Sequence, residues 1–412
     1  MVTWIQMDRF IQRSNDTLSV RDSNPGSARN ERIAIIGARG LSNYGGFETF
    51  VGEFAPRLAR RGYSVFVSHR NENGTRGFRM VDGVRVLYFP LRFPRNSKLG
   101  RLFEVLYDWY FVLLCAIRIQ CQVIYCLGIA AGPVLPLARL FGSVTVLNLD
   151  GLEWRRPKFQ LAEKLYVKSA FLASYLFADR LVLDNGRLLD HIPESSKSKA
   201  SVIPYGVTRG NCPTWDGETL RGYAAGRSSL VEAGQFWLVV ARLEPDNLIH
   251  IIVEAYARSS SVLPLVIVGS FSSAEYAARI GNFSRSLGPG KNVIMMGSVY
   301  DQNHLSMLRC NCCAYIHGHS VGGTNPSLLE AMSVGNIVIA HDNPFNREVC
   351  GGNAIFFKNA DELAAEMAEL EHNREGHAHL GEGARLRAIE AYGWEDVVES
   401  YEVLFKGLLS KR

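Results

Sequence analysis

Short runs of consecutive apolar residues alternate along the chain with longer stretches in which apolar residues recur every three or four positions. The first run, Arg32-Ile-Ala-Ile-Ile-Gly37, reads as a buried parallel strand, because it is apolar on both faces and glycine ends it. Phe47, Phe50, Val51, Phe54 and Leu58 then fall on one helical face, and Gly62 stops that helix. Residues 64–68, 84–89, 122–127, 144–149, 180–183 and 200–204 repeat the strand signal, mostly with helical stretches between them. Residues 209–234 carry Gly, Pro, Ser and Arg in no clear period and read as a linker. The rhythm restarts with strands at 236–240, 264–268, 292–296, 314–317, 336–340 and 354–357, separated by helices such as 248–258 and 326–332. A final helix at 394–409 is amphipathic. The pattern predicts an α/β protein of two doubly wound halves, with ligands held beyond the carboxyl ends of the strands.

Composition bounds the function more than it defines it. A chain of 412 residues is long for one core, so two domains fit. Hydrophobic residues make up 47% and charged residues 21%, which suits a globular enzyme rather than a disordered chain. The net charge of +5 comes from scattered Lys and Arg without a nucleic-acid signature, so no nucleic-acid partner is expected. Cys310, Cys312 and Cys313 cluster ahead of a strand, where packing is expected rather than metal binding; a reducing compartment fits. Residues 1–30 are polar, lack the apolar stretch of a secretory signal and are expected to form a mobile extension of a cytoplasmic protein. The longest apolar stretch, 105–119, is interrupted by Asp108 and Arg118 and is too short for a bilayer, which needs about 20 residues.

Two strand-to-helix loops carry the candidate chemistry. Gly37-Ala-Arg-Gly-Leu-Ser-Asn-Tyr-Gly-Gly46 has neither the dinucleotide nor the P-loop spacing. Its glycines let backbone approach a ligand, and the unpaired N–H groups of the following helix attract an anion. Gly45, Gly46 and Phe47 are therefore a candidate phosphate site, with a turn that merely packs the helix as the alternative. The segment from Gly322 to Glu330 has the same form. Thr324 or Asn325 is placed to cap its helix and Pro326 to occupy the first turn, so a diphosphate is expected beside Gly322 and Gly323. Arg242, just after the first strand of the second half, suits two phosphate oxygens held in a fork; a surface ion pair is the alternative. Gly269 and Val299 end neighbouring strands, where backbone is placed to read a base.

At this point the sequence resembles a known family. Ile36-Gly-Ala-Arg-Gly-Leu-Ser-Asn-Tyr-Gly-Gly-Phe-Glu-Thr-Phe50 is similar to the opening motif of a branch of the GT4 glycosyltransferases that includes bacterial rhamnosyltransferases of polysaccharide assembly. Asn148-Leu-Asp-Gly-Leu-Glu-Trp-Arg-Arg156 resembles that branch's second motif. Val240-Ala-Arg-Leu-Glu-Pro245 and His317-Gly-His-Ser-Val-Gly-Gly-Thr-Asn-Pro-Ser-Leu-Leu-Glu-Ala-Met332 complete the set, in order, over everything after Arg32. The resemblance implies a GT-B fold of two Rossmann-like domains facing across a cleft. An acceptor-side domain would span 31–208 and a donor-nucleotide domain 209–392, with the helix of 393–412 packing back on the first. It also implies that Glu330 accepts a ribose hydroxyl.

The chain departs from the wider GT4 pattern twice. That pattern has two glutamates with seven residues between them; the second is Glu330 and the first position is Gly322. The carboxylate that contacts the donor sugar is missing, and His319, His317, the Gly-Gly backbone or the opposite domain has to replace it. A lysine five residues after the arginine is here Asn247, which removes one positive charge from the phosphate site.

On the acceptor side, Asp150 follows a strand and is a candidate to bond a sugar hydroxyl or take the acceptor proton, an Asp-Gly turn being the alternative. Trp154 offers a flat face to a sugar ring beside Glu153, and Arg155, Arg156 and Lys158 suit an anionic acceptor. Arg92, Arg95, Lys98 and Arg101 precede the aromatic stretch 103–111, a pattern that suits peripheral contact with an anionic membrane as well as core packing. The expected function is retaining transfer of a sugar from a nucleoside diphosphate to a glycan or lipid-linked glycan in cell-surface polysaccharide assembly. The resemblance implies L-rhamnose on dTDP. Asp150 and Arg242 are the expected catalytic residues. No D-x-D motif sits at a strand end, so neither metal nor cofactor is expected, the sugar nucleotide being a substrate. The alternatives are an inactive sugar-nucleotide-binding partner of an assembly complex and a sugar-nucleotide epimerase of the same fold.

Overall fold

The computed structural model describes residues 31–411, except 42–44, 72–74, 76, 93–96, 150–160, 219–222, 224–230 and 286; of 97–102 and 161–164 it describes the backbone alone. The candidates Asp150, Glu153, Trp154, Arg155, Arg156, Lys158 and Arg95, and the extension 1–30, lie outside the described residues.

The predicted alternation is the observed one. The first half runs β1 (Arg32–Ile36), α1 (Gly46–Arg60), β2 (Ser64–His69), β3 (Phe78–Val81), β4 (Val84–Tyr88), α2 (Ser97–Leu113), β5 (Val123–Leu127), α3 (Leu135–Leu140), β6 (Val144–Asn148), α4 (Leu161–Phe177), β7 (Arg180–Leu183) and β8 (Ala200–Val202). Its sheet has the order β3-β4-β2-β1-β5-β6-β7-β8. The pairs around β1, β2, β5 and β6 are parallel, with Ile33 opposite both Val65 and Val123. Strand β3 was not expected. It pairs antiparallel with β4 across Asp82-Gly83, both at positive φ, which is the two-residue turn that an Asp-Gly step favours.

The second half runs β9 (Trp237–Val240), α5 (Ile249–Arg258), β10 (Leu265–Val268), α6 (Ala274–Arg285), β11 (Val293–Gly297), α7 (Gln302–Cys310), β12 (Ala314–His317), α8 (Pro326–Ser333), β13 (Val338–His341), α9 (Pro344–Cys350), β14 (Ile355–Phe357), α10 (Ala360–His372), α11 (Ala378–Tyr392) and α12 (Trp394–Leu409). Its sheet, β11-β10-β9-β12-β13-β14, is parallel throughout. The strands are short and apolar on both faces because helices cover both; Trp237, Ile252, Ile267, Ile316, Ile339, Leu363 and Met367 share one core.

By compactness the chain forms two units. One reaches Leu149 and takes in residues through Leu181 and from Val403 onward; the other is centred on Val182–Glu402. In the first, Phe50 and Phe54 stack at 4.9 Å, and both Phe54 and the late Phe405 lie 6.3 Å from the Tyr125 ring. In the second, residues just after β7 join the later sequence: Gly186 N–H donates to Glu348 at 2.6 Å, and Val207 N–H donates to Tyr392 O at 2.7 Å.

Cys310 corrects the sequence reading. It does not serve packing alone but forms a disulfide with Cys212, their Cα atoms 5.6 Å apart. They stand 98 positions apart, which leaves no local signal, and only the return of the linker onto the end of α7 brings the thiols together. Among the described residues the remaining six cysteines, Cys312 and Cys313 included, are free and buried.

Candidate functional site

Chain order fixes where each sheet offers a site. From β1 the chain builds outward through β2 and later crosses to β5 on the other side; from β9 it builds outward to β10 and β11, then crosses to β12. In such sheets ligands gather beyond the carboxyl ends of the strands at that reversal. The loops after β1, β9 and β12 hold most of the predicted donor residues.

In the first unit Gly37 and Gly128 follow the adjacent strands β1 and β5. A Cβ on Gly37 would lie 2.3 Å from Leu127 O, so the loop needs glycine to pass. Gly45 is the N-cap of α1, and Phe47 sits beside Gly128. One residue that sequence reading missed alters the anion site. The Glu48 side chain is buried, accepts the Arg39 N–H at 3.0 Å and folds over Gly45, where a Cβ would meet its Oε2 at 2.0 Å. A carboxylate in the first turn already answers the positive end of α1. The Arg39 guanidinium lies 3.9 Å from the same carboxylate and offsets part of its charge. Nothing described lies within 4 Å of where a Cβ on Gly46 would be.

In the second unit α8 begins as its sequence predicts. Asn325 is the N-cap, its side chain accepting Ser327 N–H at 3.0 Å, and Pro326 opens the first turn. Thr324 does not cap; its buried hydroxyl donates to Asp184 O. Asp184 also explains Gly323, because a Cβ there would lie 1.8 Å from its Oδ1. Gly322 has φ +131°, a conformation that side chains rarely adopt.

Arg242 follows β9 with its side chain 54% exposed and 3.6 Å from the Glu244 carboxylate, a weak pairing that leaves the guanidinium accessible to a ligand. Asn247, expected at the phosphates, is buried: its Nδ2 donates to Arg242 O at 2.6 Å and its Oδ1 faces His319 Nδ1 at 2.7 Å. Gly269 has a packing role, since a Cβ would lie 1.8 Å from Ala241 O. Val299 is buried as a whole residue.

Glu330 points its carboxylate at Arg309, an ion pair that sequence reading missed. Arg309 lies in α7 with a buried side chain, and nothing in its local pattern marks it as the partner of a residue in α8. Glu330 is 31% exposed, so one carboxylate can hold Arg309 while still facing solvent. His317, at the end of β12, is buried, and its Nε2 has no described partner. Burial, with His319 and His341 nearby, holds its pKa well below the usual histidine range, so it is neutral at pH 7. Among the described residues no group of three His, Cys, Asp or Glu side chains is arranged to hold a metal ion.

Comparison with known proteins adds to this geometry. Residues 227–387 match the family described as Glycosyl transferases group 1. Residues 30–208 match a domain of unknown function, DUF1972. No curated protein matches the chain. Among solved structures, the chain is similar to a sucrose-phosphate synthase from Thermosynechococcus elongatus, with TM-score 0.75 and 17% identity over 93% of this chain and 100% of that one. It is similar to HepE from Anabaena in complex with UDP, with TM-score 0.68 and 16% identity over 92% and 100%. It is also similar to the catalytic domain of starch synthase IV from Arabidopsis thaliana bound to ADP and acarbose, with TM-score 0.71 and 14% identity over 92% and 99%. The fold is GT-B, with two Rossmann-like domains, and the second carries the glycosyltransferase match.

Proposed function

We propose that this chain is a retaining, metal-independent glycosyltransferase. It moves a sugar from a nucleoside-diphosphate donor, dTDP-L-rhamnose in our reading, to a glycan or lipid-linked glycan acceptor in cell-surface polysaccharide assembly. The observation that carries the reading is the Ser327 hydroxyl donating to Val240 O at 2.7 Å, which sets the capped start of α8, the helix of Glu330, beside the end of β9 and the accessible Arg242 within one unit. An arginine fork beside the positive end of a helix dipole suits a diphosphate whose charge grows as the sugar leaves. The solved relatives HepE and starch synthase IV hold UDP and ADP, which supports a nucleoside diphosphate here. Asp150 is proposed to meet the acceptor, with Glu153, Trp154 and Arg155 beside it. In a retaining reaction the leaving phosphate itself can take the acceptor proton.

A thermal-shift screen of the full chain tests this. A nucleoside diphosphate present at 100 times its Kd adds about 2.7 kcal/mol to the folded state, a rise in Tm of roughly 3 °C for a chain of this length. Absence of any shift with dTDP, UDP, GDP and ADP would remove the reading. Donor turnover without acceptor would turn it toward an epimerase. A second reading, an inactive sugar-nucleotide binder, is favoured by Asn247 being spent on internal hydrogen bonds; binding without donor consumption would establish it.

Peripheral membrane contact is part of the proposal, at a place the sequence did not suggest. Tyr107 and Phe111 pack into the core beside Phe89. Leu91 and Leu106 of that region are exposed, and so are Leu165, Leu172 and Leu176 along one face of α4, with Lys168 in the same stripe, and Leu140 and Phe141 at the end of α3. Arg139 joins the two helices through Phe177 O and Asp179. No described helix is long and apolar enough to cross a membrane, so this face would lie on the surface. Flotation with vesicles rich in anionic lipid is expected to carry the protein, and Leu140→Glu with Leu172→Glu is expected to release it; equal flotation of both proteins would refute the assignment.

A further inference from the structure

We propose that the Cys212–Cys310 pair is a thiol–disulfide exchange site, that a thiol reductant is its co-substrate, and that opening it weakens nucleotide binding through Arg309 and Glu330; this last link rests on the donor reading above. The sulfur pair is within reach of a reagent. Cys212 is exposed, and Cys310 is half-buried in the last turn of α7. The other six cysteines are buried, and burial pushes the Cys312 and Cys350 thiols up to about 12, so none of the six competes for a reagent in the folded chain. The exchange itself needs only thiols. A thiolate of the reductant attacks Cys212 Sγ to form a mixed disulfide, the bond to Cys310 breaks, and Cys310 leaves as a thiolate that takes a proton from water. A second thiolate of the reductant then attacks the reductant's sulfur in the mixed disulfide. Cys212 leaves and is protonated in turn. The cysteine pair is reduced by two electrons, and the reductant departs as its own disulfide.

What the bond holds is one face of a helix. The described linker residues follow α7 in reverse order: the Tyr223 hydroxyl meets His304 Nδ1 at 2.8 Å, Asp216 N–H donates to Met307 Sδ at 3.2 Å, and Cys212 closes on Cys310. His304, Met307 and Cys310 are three residues apart and so share that face. Trp215 seats the same stretch on Phe236, with ring centroids 5.8 Å apart. The residue before Cys310 is Arg309, whose guanidinium holds the Glu330 carboxylate in α8. With nine residues α7 is too short to persist by itself, and packing keeps it helical. Of the three linker contacts only the S–S bond is covalent, and a thioether is a weak acceptor. Opening the bond therefore loosens the last turn of α7 and the arginine that positions Glu330. Asn336 Nδ2 donates to Arg309 O at 2.5 Å and still holds that backbone, so the effect on binding is several-fold rather than complete.

Alkylation of the folded full chain with iodoacetamide, read by peptide mass, tests the exchange. Protein purified without reductant is expected to label at neither Cys212 nor Cys310. After dithiothreitol both are expected to label, with the other six cysteines untouched. Excess reduced glutathione is expected to open the pair as well, because exposed disulfides exchange with such a pool whereas structural ones resist it. A pair that stays closed in reduced glutathione overturns the proposal, and so does labelling of both cysteines before any reductant is added. Titration calorimetry with dTDP and with UDP tests the link to the nucleotide. For the diphosphate that binds, reduction is expected to raise Kd about fivefold. Cys212→Ser with Cys310→Ser is expected to bind like the reduced chain and to ignore reductant. Should that variant fail to fold, the wild-type chain reduced and alkylated in place serves instead. An equal Kd before and after reduction overturns the link. A chain that exchanges thiols but binds neither diphosphate in either state removes the donor reading and the link with it, and the exchange site then stands on the labelling.

Discussion

Glu330→Gln is expected to cost about 3 kcal/mol of stability and to weaken nucleotide binding together. The Glu330 carboxylate is the described partner of the Arg309 guanidinium, whose Nε already lacks a hydrogen-bond partner. Removing one member of a buried ion pair leaves the other charge uncompensated, typically at about 3–5 kcal/mol. The lower end applies because Glu330 is partly open to solvent. The two effects separate in the double variant Arg309→Met with Glu330→Leu. Apolar residues of similar volume commonly restore what a broken buried pair loses, so the urea midpoint is expected to recover. Nucleotide affinity is expected to stay low, because no acceptor remains for a ribose hydroxyl. Recovery of both would mean that Glu330 acts only by holding Arg309, and the ribose role would fall.

Arg242→Ala is expected to lower kcat by roughly 10²–10³ while leaving the fold intact. The side chain is more exposed than buried, and its link to Glu244 at 3.6 Å contributes little to stability. Its expected work is on the charge that develops on the leaving diphosphate. Arg242→Lys is expected to recover only part of the rate, since an ammonium supplies a point charge without the planar fork. Single-turnover donor consumption at saturating donor is the measurement. A loss of only a few-fold would leave the α8 start as the main source of stabilisation.

The sequence reading placed most of the architecture because its signals are local. Apolar runs marked thirteen of the fourteen described strands, and β3 was passed over although Asp82-Gly83 announces its turn. The start of α8 was also legible, since a cap, a proline and a glycine turn act within five residues. What the reading took for two losses looks different in the folded chain. Asn247 had been weighed as a missing cation and Gly322 as a missing carboxylate; both now border one histidine.

By itself the sequence determined where strands and helices alternate, where glycine lets the chain turn at the ends of β1 and β12, and which helix starts are capped. Each depends on residues a turn or less apart, where backbone sterics and hydrogen bonds decide alone. Only the tertiary structure decided that Glu48 sits over Gly45, that Cys212 meets Cys310, that Glu330 holds Arg309 and that Asn247 orients His319. The Glu48 contact follows from a side-chain rotamer in the first turn of α1. The other three join residues 21 to 98 positions apart in the chain, brought together by the strand order of the second sheet and the return of the linker onto α7. Strand order follows from how the whole set of apolar faces packs, and no short window of sequence contains it.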